Sequence, residues 1–413
     1  MTSTSPALGV ALIGYGFMGA AHSHAWRNVH RIFPLPHRPE MRVICGRNPD
    51  AVRAAADRWG WATSASDWNQ VVTRDDVDIV DICTPGDTHP VIAIAALDAG
   101  KHVLCEKPLA NTVAEAEAMG RAAERAADRG VRSMVGFNYR RVPATTLARD
   151  LVQDGQLGSI RHIRGLYLQD WLLDPSTPIV WRLQAERAGS GALGDIGAHA
   201  VDLAQFVTGH RLSHLCADLR TFIAERPMAE ETASAASPAS HARLDRAGAG
   251  DGPTVPQSET WARRTAPVTV DDAAAFLART DQGAIAMFEA SRFATGYKNA
   301  LRLEVNGSAG SLVFDLENLN ELRFYDATQD PKEAGFRRIL VTEPGHPYMH
   351  AWWPPGHIIG YEHTFVHEVA DFVTAIGEGR DPSPSFADGL AVQRILAAVL
   401  QSAATQQWIS VTA

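Results

Sequence analysis

Short apolar runs recur through the first third of the chain: "GVALIG" (9–14), "MRVICG" (41–46), "DIVDIC" (78–83), "HVLCEK" (102–107) and "RSMVGF" (132–137). They are too short for helices and lack a polar face, so they predict strands buried on both sides. Between them, stretches such as "AVRAAADRWG" and "PVIAIAALDAG" carry helical spacing, and the second ends in a glycine suited to a helix C-terminus. Strand alternating with helix predicts a parallel, doubly wound sheet over residues 1–137.

From about residue 160 the pattern changes to longer β-rich segments, "IRHIRGLYLQDW", "AAAFLARTDQGAIAMFEASRF" and "ALRLEVNGSAGSLVFD". The turn signals "DQG" and "NGSAG" join strands that run antiparallel. Residues 138–413 therefore predict a second α/β domain with a large, open, mainly antiparallel sheet, and the chain as a whole is α/β. Residues 226–266 are rich in Ala, Ser, Pro and Gly without an apolar period, and read as a flexible insertion. The tail "DGLAVQRILAAVLQSAATQQ" predicts a C-terminal helix (386–407) free to pack back on the first domain, and "WISV" a short strand.

A length of 413 residues allows two cores. The net charge of −9 and the lack of a Lys/Arg cluster argue against a nucleic-acid partner. Cys45, Cys83, Cys105 and Cys216 form no C-x-x-C pair, and predict buried free thiols in a reducing compartment. The N-terminus lacks the basic region of a signal peptide and no apolar segment is long enough to span a membrane, so a cytoplasmic protein is expected.

"VALIGYGFMGAAHSHAW" changes the picture from fold to chemistry. Gly14, Gly16 and Gly19 follow the first strand and open a helix, with Phe17 and Met18 between them. Gly14 permits the tight turn, Gly16 admits a pyrophosphate to the backbone, and Gly19 allows close helix–strand packing, the Rossmann fingerprint for a dinucleotide. At the end of the second strand, "ICGRNPD" has Gly46 and Arg47 where NAD binders place an acid. Without that acid a 2′-phosphate meets no repulsion and Arg47 can pair with it, so NAD(P) binding is expected with NADP favoured; the alternative is that Arg47 lies along the adenine and specificity is dual.

"GDIGAHAVDL" (194–203) puts Asp195, His199 and Asp202 four and three residues apart, on one arc of a helix. Such a set can hold a metal, move a proton or form a polar edge. Lys107 ends a strand at the carboxyl edge of the parallel sheet, where these folds bind ligands. "HPYMHAWWPPGHIIGYEHTFVHEVADF" carries His363 and His367 at i, i+4 with Glu362 and Glu368 beside them, but not in H-E-x-x-H order, and no metal is expected. Trp352 and Trp353 are expected near a substrate mouth, and His22 and His24 as helix residues near the cofactor loop. Aromatic and amide clusters offer a wall for a polyhydroxylated ring: Asn138, Tyr139 and Arg140; Tyr167, Gln169, Asp170 and Trp171; Trp181 and Arg182; and Trp353.

Taken together, "GYGFMG", "TPGDTHPVIAIAALDAGKHVLCEKPLA", "GFNYRR" and "GALGDIGAHAVDL" resemble the Gfo/Idh/MocA oxidoreductase family over most of the chain outside 226–266. The resemblance implies oxidation of a secondary hydroxyl on a sugar, anhydro-sugar or cyclitol with NAD(P), and no metal. It implies that Lys107 contacts the reacting hydroxyl, that Pro108 is cis, and that Glu106 reaches the cofactor ribose. The loop carrying Thr84, Pro85 and His89 would border the nicotinamide. His199 then becomes the general base, Asp195 positions substrate and proton, and Asp202 orients His199 or serves structure. "FNYRR", "GLYLQDW", "WRLQ" and "PSFADG" are most similar to members that oxidise C3 of an anhydro-sugar with NAD. Two departures stand out: Gly46–Arg47, and Gly86 where the family commonly has Asn. A homodimer or homotetramer through the open sheet is expected. Alternatives are an inositol or polyol dehydrogenase, a glycoside-cleaving enzyme working through a 3-keto intermediate, and a catalytically silent dinucleotide sensor.

Overall fold

The computed structural model describes residues 6–228 and 264–411. The first half is a six-stranded parallel sheet of β1 (Ala7–Ile13), β2 (Arg38–Cys45), β3 (Thr63–Ala65), β4 (Ile79–Ile82), β5 (His102–Glu106) and β6 (Ser133–Gly136), in the order 3-2-1-4-5-6. Three of these strands, β4, β5 and β6, lie within the apolar runs of the sequence, and β1 and β2 overlap theirs but begin two and three residues earlier. β3 matches none, because "TSA" at the sheet edge is exposed or half-buried and carries no apolar signal. Helices α1 (Phe17–Ile32), α2 (Pro49–Trp59), α3 (Trp68–Val72), α4 (His89–Asp98) and α5 (Val113–Ala127) cover the two faces. Local chemistry sets their ends: Asn48 accepts from two backbone N–H groups ahead of Pro49, and Thr112 with Glu115 forms a capping box.

After α6 (Pro143–Gln153), strand β7 (Ile160–Leu168) enters a second sheet. Short α7 (Ala185–Ala188) and α8 (Ala198–Thr208) come next. The remaining strands are β8 (Leu212–Arg220), β9 (Glu225–Pro227), β10 (Thr265–Pro267), β11 (Ala273–Thr280), β12 (Ile285–Ser291), β13 (Ala300–Gly307), β14 (Gly310–Asp315), β15 (Glu321–Asp326) and β16 (Arg337–Leu340). After α9 (Tyr361–Glu378) and α10 (Phe386–Thr405), β17 (Ile409–Ser410) closes the chain. Nine strands align as 16-15-14-13-7-12-11-8-17, antiparallel throughout except for β12 beside β7. The turns "DQG" and "NGSAG" join β11 to β12 and β13 to β14, as the sequence indicates.

Burial alternates along β11 and β12: Phe276, Ala278, Ala286 and Phe288 point into the core, while Leu277, Ile285 and Met287 stand exposed on the other face. The sheet is therefore open on one side. The expected insertion needs correcting at its ends, because β9 and β10 pair antiparallel, Glu225 opposite Pro267 and Pro227 opposite Thr265. Residues 229–263 lie outside the described residues. Cys45 and Cys105 are buried as expected; Cys83 and Cys216 are only partly so, and all four are free.

Two C-terminal helices bind the halves together. α9 packs along α1, and α10 packs on α5 and β8. Arg394 of α10 lies 3.3 Å from Glu117 of α5, and Gln393 donates to the Asn111 carbonyl at 3.1 Å. Among the described residues no helix is long and apolar enough to cross a membrane.

Candidate active site

The glycine loop folds as its residues dictate. Gly14 sits at φ +108°, where a Cβ would come within 2.6 Å of the Cys83 carbonyl, and a Cβ at Gly19 would overlap the Gly14 carbonyl. Gly16 differs: nothing lies within 4 Å of where its Cβ would be. It is the N-cap of α1, supplies no side-chain cap, and no acid occupies the first turn. Open N–H groups at a positive helix end with free space above them fit the pyrophosphate of a dinucleotide. Phe17 is exposed at the rim and stacks on Tyr361 at 6.2 Å between centroids; Met18 packs inward. Arg47 is exposed beyond β2. The glycine at 46 has its own structural cause, since a Cβ there would overlap the Tyr15 ring.

The loops after β4 and β5 meet over this site. Thr88 donates to Thr84 Oγ1 and to the Pro85 carbonyl, both at 2.7 Å. His89 is buried with Nε2 2.9 Å from the Thr84 carbonyl and Nδ1 3.0 Å from the Pro108 carbonyl. It staples the two loops, and both its nitrogens are engaged by protein. The Lys107–Pro108 bond is cis, as the resemblance implies. At Gly86, the departure from the family pattern, a Cβ would lie 2.5 Å from Asn111 Oδ1, so the Asn111 amide fills that space.

Across from the loops, Asp195 and His199 do not share a simple helical face. Residues Leu193–Gly197 form a π-helical turn leading into α8, so the expected 100° per residue fails between them. A π turn leaves backbone groups open, often at functional sites. Here the Asp195 carbonyl accepts from Lys107 Nζ, which also lies 3.8 Å from Asp195 Oδ1. Arg182 Nε is 3.8 Å from Oδ1, and Arg292 Nη1 3.9 Å from Oδ2. Burial opposes the charge of Asp195, but the cations of Lys107, Arg182 and Arg292 outweigh it and hold the carboxyl below its usual range.

His199 is nearly buried against Tyr139, Tyr167 and Phe137, with ring centroids at 4.6, 6.0 and 6.0 Å. Burial first, then the Lys107 charge, pushes it well below an ordinary histidine, so it is neutral at neutral pH. Among the described residues neither ring nitrogen has a hydrogen-bond partner, which leaves both available to a ligand. Of the two roles expected for Asp202 only the structural one stands: its carboxylate pairs with the buried Arg140 guanidinium through two N–H groups, one at 2.8 Å. Arg140 is thereby removed from the sugar wall.

Other expected residues fall around this centre in different ways. Tyr139 and Tyr167 share a hydroxyl–hydroxyl bond of 2.8 Å, and Tyr167 donates to Asn299 Oδ1 at 2.7 Å. Gln169 donates to the same oxygen at 2.8 Å and accepts from Trp171 Nε1 at 3.1 Å. Asp170 is taken up by Lys298 at 2.6 Å, and Asn138 donates to Thr364 of α9 at 2.8 Å. Arg182 lies over Trp181 at 4.4 Å. Trp353 is 62 % exposed, whereas Trp352 turns inward and donates to His367 Nε2 at 2.7 Å, contrary to the expected pair at the mouth. With His367 Nδ1 on the Arg141 carbonyl and His363 Nδ1 accepting from Gly360 N–H, that histidine pair is held by protein.

Sequence reasoning missed Asp271, Arg292 and Asn299. The Asp271 carboxylate accepts from Gly191 N–H at 2.6 Å and Leu193 N–H at 2.8 Å, and Arg292 donates to the Asp271 carbonyl at 2.9 Å. They brace the turn that carries Asp195. Isolated acids and bases in β-rich text carry no spacing signal that would single them out.

Three buried histidines and the half-buried His102 make the molecule acid-sensitive. Burial pushes His102 down to about 4 and His367 to about 3, and lowers His89 and His199. Folded, these rings stay neutral; unfolded, they protonate near pH 6.5. Below that pH the unfolded chain binds more protons, so stability falls with falling pH, by up to about 1.4 kcal/mol per unit per histidine. His22 is held well above its ordinary value, burial being outweighed by Asp81, and is charged in both states below pH 6.5. Glu368, pushed up to about 8, and His22 take up protons on folding and oppose this near pH 7, so the four rings prevail only below the ordinary histidine range: urea midpoints should decline from pH 6 to pH 5, and equal midpoints there would refute the assignment of neutral buried rings.

A dinucleotide cradle facing a lysine, a carboxylate and a neutral histidine defines a nicotinamide-dependent oxidoreductase. The comparisons agree. Residues 8–137 match the family model of the oxidoreductase family with NAD-binding Rossmann fold, and residues 145–313 that of the GFO/IDH/MocA C-terminal domain. The protein belongs to the Gfo/Idh/MocA oxidoreductase family. It is 42 % identical to levoglucosan dehydrogenase of Pseudarthrobacter phenanthrenivorans over 98 % of both chains. Among solved structures it is similar to an oxidoreductase domain protein from Kribbella flavida (58 % identity, TM-score 0.89, 99 % of this chain and 100 % of that one). It is likewise similar to levoglucosan dehydrogenase in complex with NADH and levoglucosan (41 % identity, TM-score 0.87, 98 % and 99 % covered).

Proposed function

We propose that this oxidoreductase is an NAD(P)-dependent dehydrogenase that oxidises a secondary hydroxyl of a sugar or anhydro-sugar, levoglucosan-like and at C3. One observation carries the reading: Lys107 reaches Asp195 and its charge bears on His199, and His89 ties the loop of Lys107 to the Thr84 loop that the Gly14 turn abuts. Bound there, the nicotinamide ring supplies the hydride acceptor. Lys107 Nζ stabilises the alkoxide that develops at the reacting oxygen. Neutral His199 takes the hydroxyl proton. Asp195, held ionised by three cations, accepts a neighbouring hydroxyl and fixes the ring. Tyr139, Gln169 and Trp171, joined through Tyr167 and Asn299, supply hydroxyl and amide groups beside aromatic faces.

The test is reduced-nicotinamide absorbance with NAD and NADP against levoglucosan, aldoses and inositols. Turnover with levoglucosan is expected; none with any of them, in either direction, would refute the reading. Arg47, exposed beyond Gly46, supports the use of NADP alongside NAD. Arg47→Asp should lower the NADP/NAD ratio of kcat/KM about tenfold or more, the value of one ~1.4 kcal/mol ion pair. An unchanged ratio would remove Arg47 from cofactor choice. Leu277, Ile285 and Met287 on the open face support a homodimer or homotetramer through that sheet; a monomeric mass by light scattering would refute it.

A further inference from the structure

His22 lies one turn into α1, just past the glycine loop, and none of the roles above uses it. Its ring bridges two strands of the parallel sheet. Nδ1 stands 3.0 and 2.8 Å from the two oxygens of Asp81 on β4, and Nε2 stands 3.0 Å from Glu106 Oε1 at the end of β5. A carboxylate only accepts hydrogen bonds, and a neutral imidazole has one nitrogen that cannot donate. The neutral ring would set a lone pair against a carboxylate on one side, whichever tautomer it took. The imidazolium satisfies both.

The surroundings are fully built. Asp81 also accepts from Trp26 Nε1 at 2.6 Å and from the Cys83 thiol at 3.6 Å. His22, Asp81 and Cys83 are close enough to suggest a metal ion, but these donors already occupy the carboxylate and would have to be displaced. Phe365 of α9 covers the ring at 5.3 Å. On the same helix Glu368 is buried, among the described residues neither of its oxygens has a hydrogen-bond partner, and burial pushes it up to about 8. It is therefore mainly protonated at neutral pH, so the imidazolium faces two carboxylates; Arg141 is the further cation acting on Glu368.

Glu106 is the end of this chain that reaches the active site. Its Oε2 accepts from Lys107 N–H at 3.1 Å, and Gly136 leaves room for it, since a Cβ there would lie 3.0 Å from Oε1. We infer that His22 is a positioning residue for the cofactor: clamped between Asp81 and Glu106, it fixes the Glu106 carboxylate at the sheet edge in the orientation that meets the nicotinamide ribose. The inference rests on the reading of Glu106 as a ribose contact. Without His22, two buried carboxylates lose their shared cation, one takes up a proton, and Glu106 no longer presents a fixed acceptor.

The test compares NAD affinity, by tryptophan fluorescence, of the full-length wild type, His22→Gln, Glu106→Gln and the double variant, with steady-state kinetics on the same samples. His22→Gln should weaken NAD about tenfold and raise the KM for NAD in step, with the KM for the sugar and kcat little changed. Because His22 acts through Glu106, the double variant should be no weaker than Glu106→Gln alone. Unchanged NAD affinity in folded His22→Gln, or losses that multiply in the double variant, would overturn the inference. If His22→Gln does not fold, nitrogen-15 resonances of the wild-type histidines decide it: two protonated ring nitrogens on His22 at pH 8 support the clamp, and a neutral tautomer overturns it. A wild type that fails to bind NAD or NADP overturns the proposed function and this inference together, whereas wild-type binding with an indifferent His22→Gln overturns the inference alone.

Discussion

Lys107→Met should lower kcat by roughly 10²–10³-fold while leaving the fold and NAD affinity nearly intact. Methionine keeps most of the length of the side chain, one atom short, and removes its charge and its donors. In the proposed mechanism the lost group is the cation aimed at the oxygen where negative charge develops, and one such preorganised donor contributes about 2.7–4 kcal/mol. The fold should tolerate the change because Lys107 is held mainly through the Asp195 carbonyl and carboxylate, and Arg182 and Arg292 remain to balance Asp195. A second effect follows from the same contact. The Lys107 charge is one of the two causes that depress His199, so its removal should shift the acid limb of the residual activity upward in pH. Stopped-flow rates of NADH formation would show both; a variant with wild-type kcat would take Lys107 out of the chemistry.

His199→Asn should cost about 10²–10⁴-fold in kcat, the usual contribution of a positioned general base. Asparagine retains polarity and approximate size but cannot carry the proton away. The pH profile separates this from a structural loss. In the wild type the base must be neutral to act, and its lowered pKa keeps it neutral far below pH 6.5. Wild-type kcat/KM should therefore stay flat from neutral pH into the acid range and fall only well below the ordinary histidine value. The variant should lack that acid limb. Initial rates taken after a rapid pH jump from neutral stocks avoid the acid unfolding expected from the other buried histidines. A wild-type limb at pH 6.5 or above would exclude His199 as the base, because its buried ring titrates well below the ordinary histidine value.

Much of the dinucleotide half was legible because its determinants are local. Buried parallel strands must be apolar on consecutive positions, and "GVALIG" or "HVLCEK" can hardly be anything else between amphipathic helices. Gly14 and Gly19 are likewise readable, since each is required by backbone atoms a few residues away or in the adjoining strand. The edge strand β3 escaped notice because it is short and half polar. In the second half the hairpins were marked by their turns. The pairing of β9 with β10 was not, since the long low-hydropathy stretch between them hides two three-residue strands.

Candidate catalytic residues were identified one by one, but their relations were not. Helical periodicity put Asp195, His199 and Asp202 on one arc; the π turn re-aims Asp195 relative to His199, and the Arg140 pair takes Asp202 out of the set that the other two form with Lys107. Gly46 carried a cofactor argument in the sequence, yet the Tyr15 ring accounts for the glycine. His22 and Glu368 looked like ordinary helix residues, and only their burial against Asp81, Glu106 and Arg141 gives them a role.

The sequence by itself determined the two-domain α/β plan and the dinucleotide loop, because periodicity, turn chemistry and glycine placement act over a few residues; its resemblance to the family singled out Lys107, Asp195 and His199 as candidates. The tertiary structure alone decided which charges meet: Arg182 and Arg292 on Asp195, Arg140 on Asp202, His22 between Asp81 and Glu106. Those partners lie 13 to 97 positions apart in the chain. Electrostatic energy depends on separation in space and on the water excluded between charges, neither of which spacing along a sequence encodes.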